Sequence, residues 1–303
     1  MNNREKAARR GTLIAIGGSE DKTSDAEILQ CVLSLAQDDK PTVGVITTAS
    51  SIPDKVFEGY EEVFSRLGAK AVHHINMRER AHANDKKNVD LIRRCSVIFL
   101  SGGDQMRLTN TLGASDALAA IRERLAQGAV VAGTSAGAAC MSSTMIYGGG
   151  DRNDSLRRGA VQMTAGLAFV HNMIIDSHFL QRGRFTRLME VGATNPEILG
   201  VGIGEDAGVI LDGGKILEAI GPGHVIIVDS TGITGSNVAD VNEGEAVTVH
   251  NVTMHALISG YGFDVSARRV IHPDEMVKCN DDMLTSRSEE TVADSRAQGT
   301  ARA

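Results

Sequence analysis

The chain has 303 residues, 42% of them hydrophobic, with 33 glycines and no tryptophan; this fits a glycine-turned α/β protein, with length for one large domain or two small ones, and excludes a disordered chain. Its net charge of −7 argues against a general nucleic-acid binder and against attachment to an acidic membrane surface. Cys31, Cys95, Cys140 and Cys279 are scattered without a C-x-x-C pair, so they read as reduced core thiols rather than zinc ligands or a disulfide framework. No apolar signal-peptide core follows the charged start MNNREKAARR, and no run approaches the ~18 apolar residues of a membrane span. A cytoplasmic protein is expected.

Residues 1–10 are polar and read as a flexible N-terminus. Thr12-Leu13-Ile14-Ala15-Ile16 is a first buried strand running into the loop Gly17-Gly18-Ser19-Glu20-Asp21-Lys22. That loop matches neither G-x-G-x-x-G nor G-x-x-x-x-G-K-[ST], so it does not argue for nucleotide binding. Asp25 is placed to cap a helix with Ile28, Leu29, Val32, Leu33 and Leu35 on one broad face. Pro41 stops it. Val43-Gly44-Val45-Ile46 is the second strand and ends in Thr47-Thr48-Ala49-Ser50-Ser51. A helix over 54–67 follows, then a short strand at Ala71-Val72. Val97-Ile98-Phe99-Leu100 ends in Ser101-Gly102-Gly103-Asp104-Gln105, and a helix near 115–127 leads to the strand Val130-Val131-Ala132. This alternation predicts a mostly parallel sheet flanked by helices, with ligands beyond the carboxyl ends of its strands.

Tyr147 to Gly159 is glycine-rich and polar and reads as a mobile loop. Met173-Ile174-Ile175 is strand-like, the arginine-rich stretch Gln181–Leu188 looks helical, and Leu199–Gly204 is a strand that stops at Glu205-Asp206. Shorter alternating segments at 207–211, 216–220, 224–229 and 245–258 predict a β-rich C-terminal completion of the same domain, over 11–280. The polar remainder, 281–303, reads as a disordered tail.

The centre of this pattern is Gly133-Thr134-Ser135-Ala136-Gly137, a G-x-S-x-G between a buried strand and a small-residue helix. In that context the serine sits on a strained strand-to-helix turn with its hydroxyl above the sheet edge, as a nucleophile requires. A tight packing turn is the plain alternative. A serine nucleophile needs a base and a group that orients the base. His73, His74 and His82 lie in a polar stretch and read as solvated. His171 precedes the Met173 strand, at the far end of the sheet, and His224, His250, His255 and His272 fall in the β-rich end. His178 follows an apolar strand and sits on the strand-end side, which makes it the candidate base. Glu205 or Asp206 would supply the carboxylate. The backbone at Gly102-Gly103 and the N–H of Ala136 are candidates for an oxyanion hole. Arg182, Arg184 and Arg187 cluster beside His178; such a group suits bidentate recognition of an anion, or else forms a solvated basic helix face.

Taken together, GGSEDK (17–22), TTASS (47–51), SGGDQ (101–105), GTSAGAA (133–139), DSHFLQRGRFTRL (176–188) and GIGED (202–206) resemble the cyanophycinases, serine peptidases with a glutamine-amidotransferase-like α/β fold. The resemblance spans about residues 12 to 275. It implies Ser135 as nucleophile, His178 as base and Glu205, rather than Asp206, as third member. It further implies that Gln105, Asp176, Ser177, Arg182, Arg184 and Arg187 shape the substrate pocket, with Asp176 facing a substrate guanidinium. Ser177 stands where the family often carries Gln. The implied reaction is cleavage of cyanophycin, a polyaspartate backbone with arginine on each side chain, to β-Asp-Arg dipeptides. The resemblance suggests a homodimer and implies no metal or organic cofactor. Two other functions fit the residues: a peptidase for other acidic or isoaspartyl peptides, and a non-catalytic module binding anionic ligands.

Overall fold

The computed structural model describes residues 11–150 and 156–276. In chain order the first half contains β1 (Thr12–Ile16), α1 (Glu27–Ser34), β2 (Thr42–Ile46), α2 (Pro53–Arg66), β3 (Ala71–Ile75), α3 (Arg80–Ala83), α4 (Lys86–Arg94), β4 (Val97–Leu100), α5 (Gln105–Leu112), α6 (Asp116–Ala126), β5 (Val130–Thr134) and the short α7 (Ala136–Ala139). Next come β6 (Thr144–Gly149), β7 (Val161–Ala165), β8 (Met173–Asp176), α8 (Phe185–Thr194) and β9 (Leu199–Ile203). The chain then turns all-β: β10 (Gly208–Asp212), β11 (Ile216–Ile220), β12 (Val225–Asp229), β13 (Gly235–Ser236), β14 (Val249–His250), β15 (Thr253–Leu257), β16 (Gly262–Asp264) and β17 (Arg269–Ile271).

Five parallel strands in the order β1-β5-β4-β2-β3 form the centre of a nine-stranded sheet. The antiparallel strands β10, β11, β16 and β17 extend it from the β1 edge. A second sheet, β15-β12-β9-β8, pairs β8 with β9 in parallel and β9 with β12 antiparallel. The β-rich end therefore completes one sheet and builds much of another.

The apolar runs become strands because both of their faces are covered. Side chains alternate across a strand, and here the alternation separates two cores. Ile14, Ile16, Val43, Val45, Val97, Phe99, Val130 and Ala132 pack on one face with Ile28, Leu29, Tyr60 and Phe64 of α1 and α2. Leu13, Ala15, Ile98, Leu100 and Val131 pack on the other with Ile92, Leu108, Leu112 and Ile121 of α4 to α6. That second core also takes Ile175, Leu199, Val201, Ile203, Val225 and Ile227, so the second sheet closes over it. Ile174, Ile226 and Val228, on the outer face, pack with Phe179 and with Leu188 and Val191 of α8. Each such side chain contributes about 1.5–3 kcal/mol by leaving water.

Several local expectations change. Helix α1 is capped at Ala26, with φ 49°, and not by Asp25. The carboxylate that closes this entry is Asp21, which accepts from the N–H groups of Thr23, Ser24 and Ala26. Those bonds hold Asp21 below the usual carboxylate range. The third strand runs through to Ile75 because His73 and His74 are half-buried in it rather than solvated. His74 stacks on Phe57 at 4.4 Å and shares a 2.8 Å hydrogen bond with Thr47, and burial lowers its pKa. Tyr147–Gly149 belongs to a β6–β7 hairpin, where Ile146 pairs with Met163, and not to an open loop. The remainder of that expected loop includes 151–155, outside the described residues, as do 1–10 and 281–303. The arginine-rich helix starts at Phe185, later than the sequence suggested, because Arg184 is its non-helical N-cap.

Candidate active site

Because β1, β2, β4 and β5 are parallel, their carboxyl ends and following loops lie on one side of the sheet. Ser135 ends β5 there with φ 52° and ψ −110°. A non-glycine residue in that conformation costs on the order of 1–3 kcal/mol and persists only where its surroundings fix it. The flanking glycines supply the room. A Cβ on Gly133 would sit 2.4 Å from the Gly137 carbonyl oxygen, and one on Gly137 would sit 2.2 Å from that of Leu100. The Ser135 N–H donates to Ile16 O at 2.9 Å, which ties the turn back to β1.

His178 follows β8 and adopts φ 49°. Its N–H donates to Gly17 O at 2.8 Å. Its Nε2 lies 3.0 Å from Ser135 Oγ, and its Nδ1 lies 2.7 Å from Glu205 Oε1. An ionised carboxylate only accepts, so Nδ1 carries the hydrogen toward Glu205 and Nε2 accepts from the serine hydroxyl. The ring is 14% exposed. Glu205 is fixed through its own N–H, which donates to Gln181 Oε1 at 3.0 Å. Asp206 turns the other way: its Oδ1 accepts from Asp21 N at 3.0 Å. Of the two carboxylates it is Glu205 that meets His178, while Asp206 adopts φ 49°.

Gly102 borders the serine, since a Cβ there would lie 3.2 Å from Ser135 Cβ. Gly103 has φ 141° and packs on the Ala49 carbonyl. Ala136 opens α7 directly after the serine. Gln105 starts α5 and donates from Nε2 to Ile146 O at 3.0 Å, linking the β6–β7 hairpin to this rim.

The arginine segment divides. Arg182 is exposed, and its N–H donates to His178 O. Arg187 is 3% exposed, which excludes a solvated helix face, and its Nε lies 3.5 Å from Asp176 Oδ2. Arg184 Nη1 donates to Asp176 Oδ1 at 2.9 Å and to Ser177 O at 2.8 Å. Asp176 is itself 3% exposed. Burial raises its pKa while the two guanidinium groups oppose the rise. Its two carboxylate oxygens face these two arginines. Ser177, beside it, is buried.

His171 is exposed on the wall of a cavity of about 580 Å³ that also includes Leu13, Arg122 and Phe169, at the opposite end of β1 from Ser135. His224, expected away from the site, comes to it by its backbone: its carbonyl accepts from Gly204 N, one residue before Glu205. Cys140 lies in the core, where burial pushes its thiol up to about 12. Among the described residues, no group of three or more His, Cys, Asp or Glu is placed to hold a metal, and no helix is long and apolar enough to cross a membrane.

Sequence reasoning missed the cluster of Glu20, Tyr60 and Lys22 that meets Thr134, the residue before Ser135; Glu20 and Tyr60 are buried and Lys22 is half-buried. The available signal was an acidic residue two positions beyond a strand-end glycine pair.

The sequence profile of peptidase family S51 matches residues 13–219. The chain is 36% identical over 269 residues to a cyanophycinase of Nostoc sp., covering 88% of this chain and 90% of the relative. It is also 36% identical over 254 residues to a cyanophycinase of Geminocystis herdmanii, covering 84% and 92%. In three dimensions it is similar in fold to a peptidase from an acI-B1 Actinobacterium, with TM-score 0.63 and 20% identity over 85% of this chain and 98% of the other. The chain belongs to peptidase family S51 and is a serine peptidase.

Proposed function

We propose that the protein hydrolyses cyanophycin to β-Asp-Arg dipeptides through an acyl-enzyme on Ser135. The observation that carries this is the unbroken relay from Ser135 Oγ through His178 to Glu205, at 3.0 and 2.7 Å, in a chain whose relatives over most of its length are cyanophycinases.

Ser135 Oγ attacks the backbone carbonyl carbon while His178 Nε2 takes the hydroxyl proton. Glu205 holds the imidazolium in place. The N–H groups of Gly103 and Ala136 receive the developing oxyanion. Collapse of the tetrahedral intermediate breaks the C–N bond, and His178 returns its proton to the departing amine. A water then gives a proton to His178, attacks the ester carbon and releases the acid, and the proton goes back to Ser135. Each substrate unit carries a free arginine carboxylate and a guanidinium. Exposed Arg182 is suited to the carboxylate, while Arg184, Gln105 and Ser177 shape the wall around it. Asp176 and Arg187 act behind that wall. We further propose that the enzyme is a cytoplasmic homodimer.

A panel of soluble cyanophycin fragments, β-aspartyl dipeptides and α-aspartyl dipeptides tests the substrate assignment. The expected result is a kcat/KM for the cyanophycin fragments at least about 100-fold above either dipeptide class, the scale of two or three polar contacts. Equal or higher values for the dipeptides would replace cyanophycin with a general acidic-peptide substrate.

A further inference from the structure

The end of β1 and the loop after it touch Ser135, His178 and the neighbour of Glu205. Ile16 O accepts from Ser135 N, Gly17 O from His178 N and Gly18 O from Asp206 N, at 2.9, 2.8 and 3.0 Å. Asp21 N donates to the Asp206 side chain. Within this loop Glu20 turns inward, and its side chain is 1% exposed. Its Oε2 accepts from Thr134 Oγ1 at 2.6 Å, and its Oε1 accepts from the Tyr60 hydroxyl at 2.5 Å. Lys22 Nζ lies 3.0 Å from the same Oε1 and 4.8 Å above the Tyr60 ring.

Thr134 is the residue before Ser135 and is itself buried. A carboxylate is an expensive group to bury, and packing alone would be served by an apolar side chain. What a carboxylate adds is acceptor capacity on both oxygens. It makes the hydroxyls of Tyr60 and Thr134 donate inward and so fixes the Thr134 side chain. Burial and the neighbouring carboxylate push the Tyr60 phenol well above its usual pKa, so it stays a donor. The strained backbone at Ser135 begins one bond further on.

We propose that Glu20 is a positioning residue for the nucleophile: acting through Thr134, its carboxylate holds the turn that aims Ser135 Oγ at His178 Nε2. This rests on the reading of Ser135 as the nucleophile. Glu20 does not touch the reacting atoms, and its effect is on the geometry of attack rather than on substrate affinity.

The test compares Glu20→Gln, Thr134→Val, their double variant and Thr134→Ser with the wild type. Three readouts are taken: the second-order rate of Ser135 labelling by a fluorophosphonate, kcat and KM on soluble cyanophycin fragments, and the thermal midpoint. Glu20→Gln and Thr134→Val are expected to slow labelling and kcat together by about 10–100-fold, the scale of a sub-ångström to 1 Å misplacement. KM should stay within about twofold, because uniform binding is untouched. The double variant should be no slower than the worse single variant, as for residues acting through one another. Thr134→Ser, which keeps the hydroxyl, should label at close to the wild-type rate. Labelling of Glu20→Gln and Thr134→Val at the wild-type rate would overturn the proposal, whatever the thermal midpoints. Should Glu20→Gln not fold, the Thr134→Val and Thr134→Ser pair decides by the same criterion. A folded wild type that is not labelled at Ser135 would overturn the nucleophile reading itself, a result distinct from labelled wild type with unaffected variants.

Discussion

Gly18 packs directly against the ring of His178: a Cβ on Gly18 would sit 2.4 Å from Cε1 and 2.5 Å from Nε2. The glycine also holds φ 107°, a conformation that residues with side chains rarely adopt. A methyl group here must push the imidazole off the line between Ser135 and Glu205. Gly18→Ala is therefore expected to lower kcat by about 100-fold or more, since a 1 Å misplacement costs on that order. Steady-state kinetics beside circular dichroism check it. A folded Gly18→Ala enzyme with wild-type kcat would show that His178 is not the base.

Glu205 and Asp206 are adjacent in sequence but separate in role. Glu205→Gln removes the acceptor that fixes the Nδ1–H tautomer, and kcat should fall by roughly 10²–10⁴. Asp206→Asn keeps an oxygen for Asp21 N, and kcat should stay within about threefold, as expected of a substitution that leaves the reacting geometry in place. The reverse ranking in matched assays would reassign the third member.

Asp176 lies between two guanidinium groups, Arg184 at 2.9 Å and Arg187 at 3.5 Å. Asp176→Ala removes the carboxylate that faces Arg187, itself 3% exposed, and breaking such a buried pair costs about 3–5 kcal/mol. Urea unfolding at pH 7 is expected to show that loss. A change below about 1 kcal/mol, the scale of an exposed pair, would mean that water or another group compensates the arginines.

Glu190 of α8 is buried, and its Oε1 accepts from Val161 N at 3.1 Å, at the start of β7. Burial raises its pKa against the opposing backbone N–H groups of Val161, Ala160, Arg157 and Gly159. A carboxyl with a raised folded pKa binds its proton more tightly when folded. Its contribution is full below the unfolded value of about 4.3 and is lost as pH rises through the folded value. The stability of Glu190→Gln relative to wild type should accordingly increase from pH 4 to pH 7, measured by thermal unfolding at constant ionic strength. A difference that shrinks over that range would contradict the sign.

Much of the parallel sheet could be read from Thr12–Ile16, Val43–Ile46, Val97–Leu100 and Val130–Ala132, because continuous apolar runs ending in small-residue loops have few other solutions. The Ser135 turn was readable for the same reason, its two glycines standing where backbone must approach backbone. His178 emerged from its place after a strand. What local pattern could not supply were partners set by tertiary contact. Arg187 has the spacing of an exposed helix residue, yet Asp176 and Gly150 enclose it; a Cβ on Gly150 would lie 2.6 Å from Arg187 Cγ. Glu20 looks like an ordinary loop acid until Tyr60 and Thr134, 40 and 114 positions away, arrive beside it. Asp25 has the right type and place for a cap, but the helix is entered through Ala26 at φ 49°, whose N–H is taken by Asp21 folding back across the loop. The second sheet was hidden because the short strands of the β-rich end carry no signal of which edge they join.

The most direct measurement is release of β-Asp-Arg from insoluble cyanophycin, followed by mass spectrometry for wild type and Ser135→Ala at equal concentration. Cyanophycin hydrolysis through Ser135 predicts dipeptide from the wild type and at least a roughly 10⁴-fold slower release from Ser135→Ala, the loss expected when a serine nucleophile is removed. No release from folded wild type, or equal release from both, would contradict it.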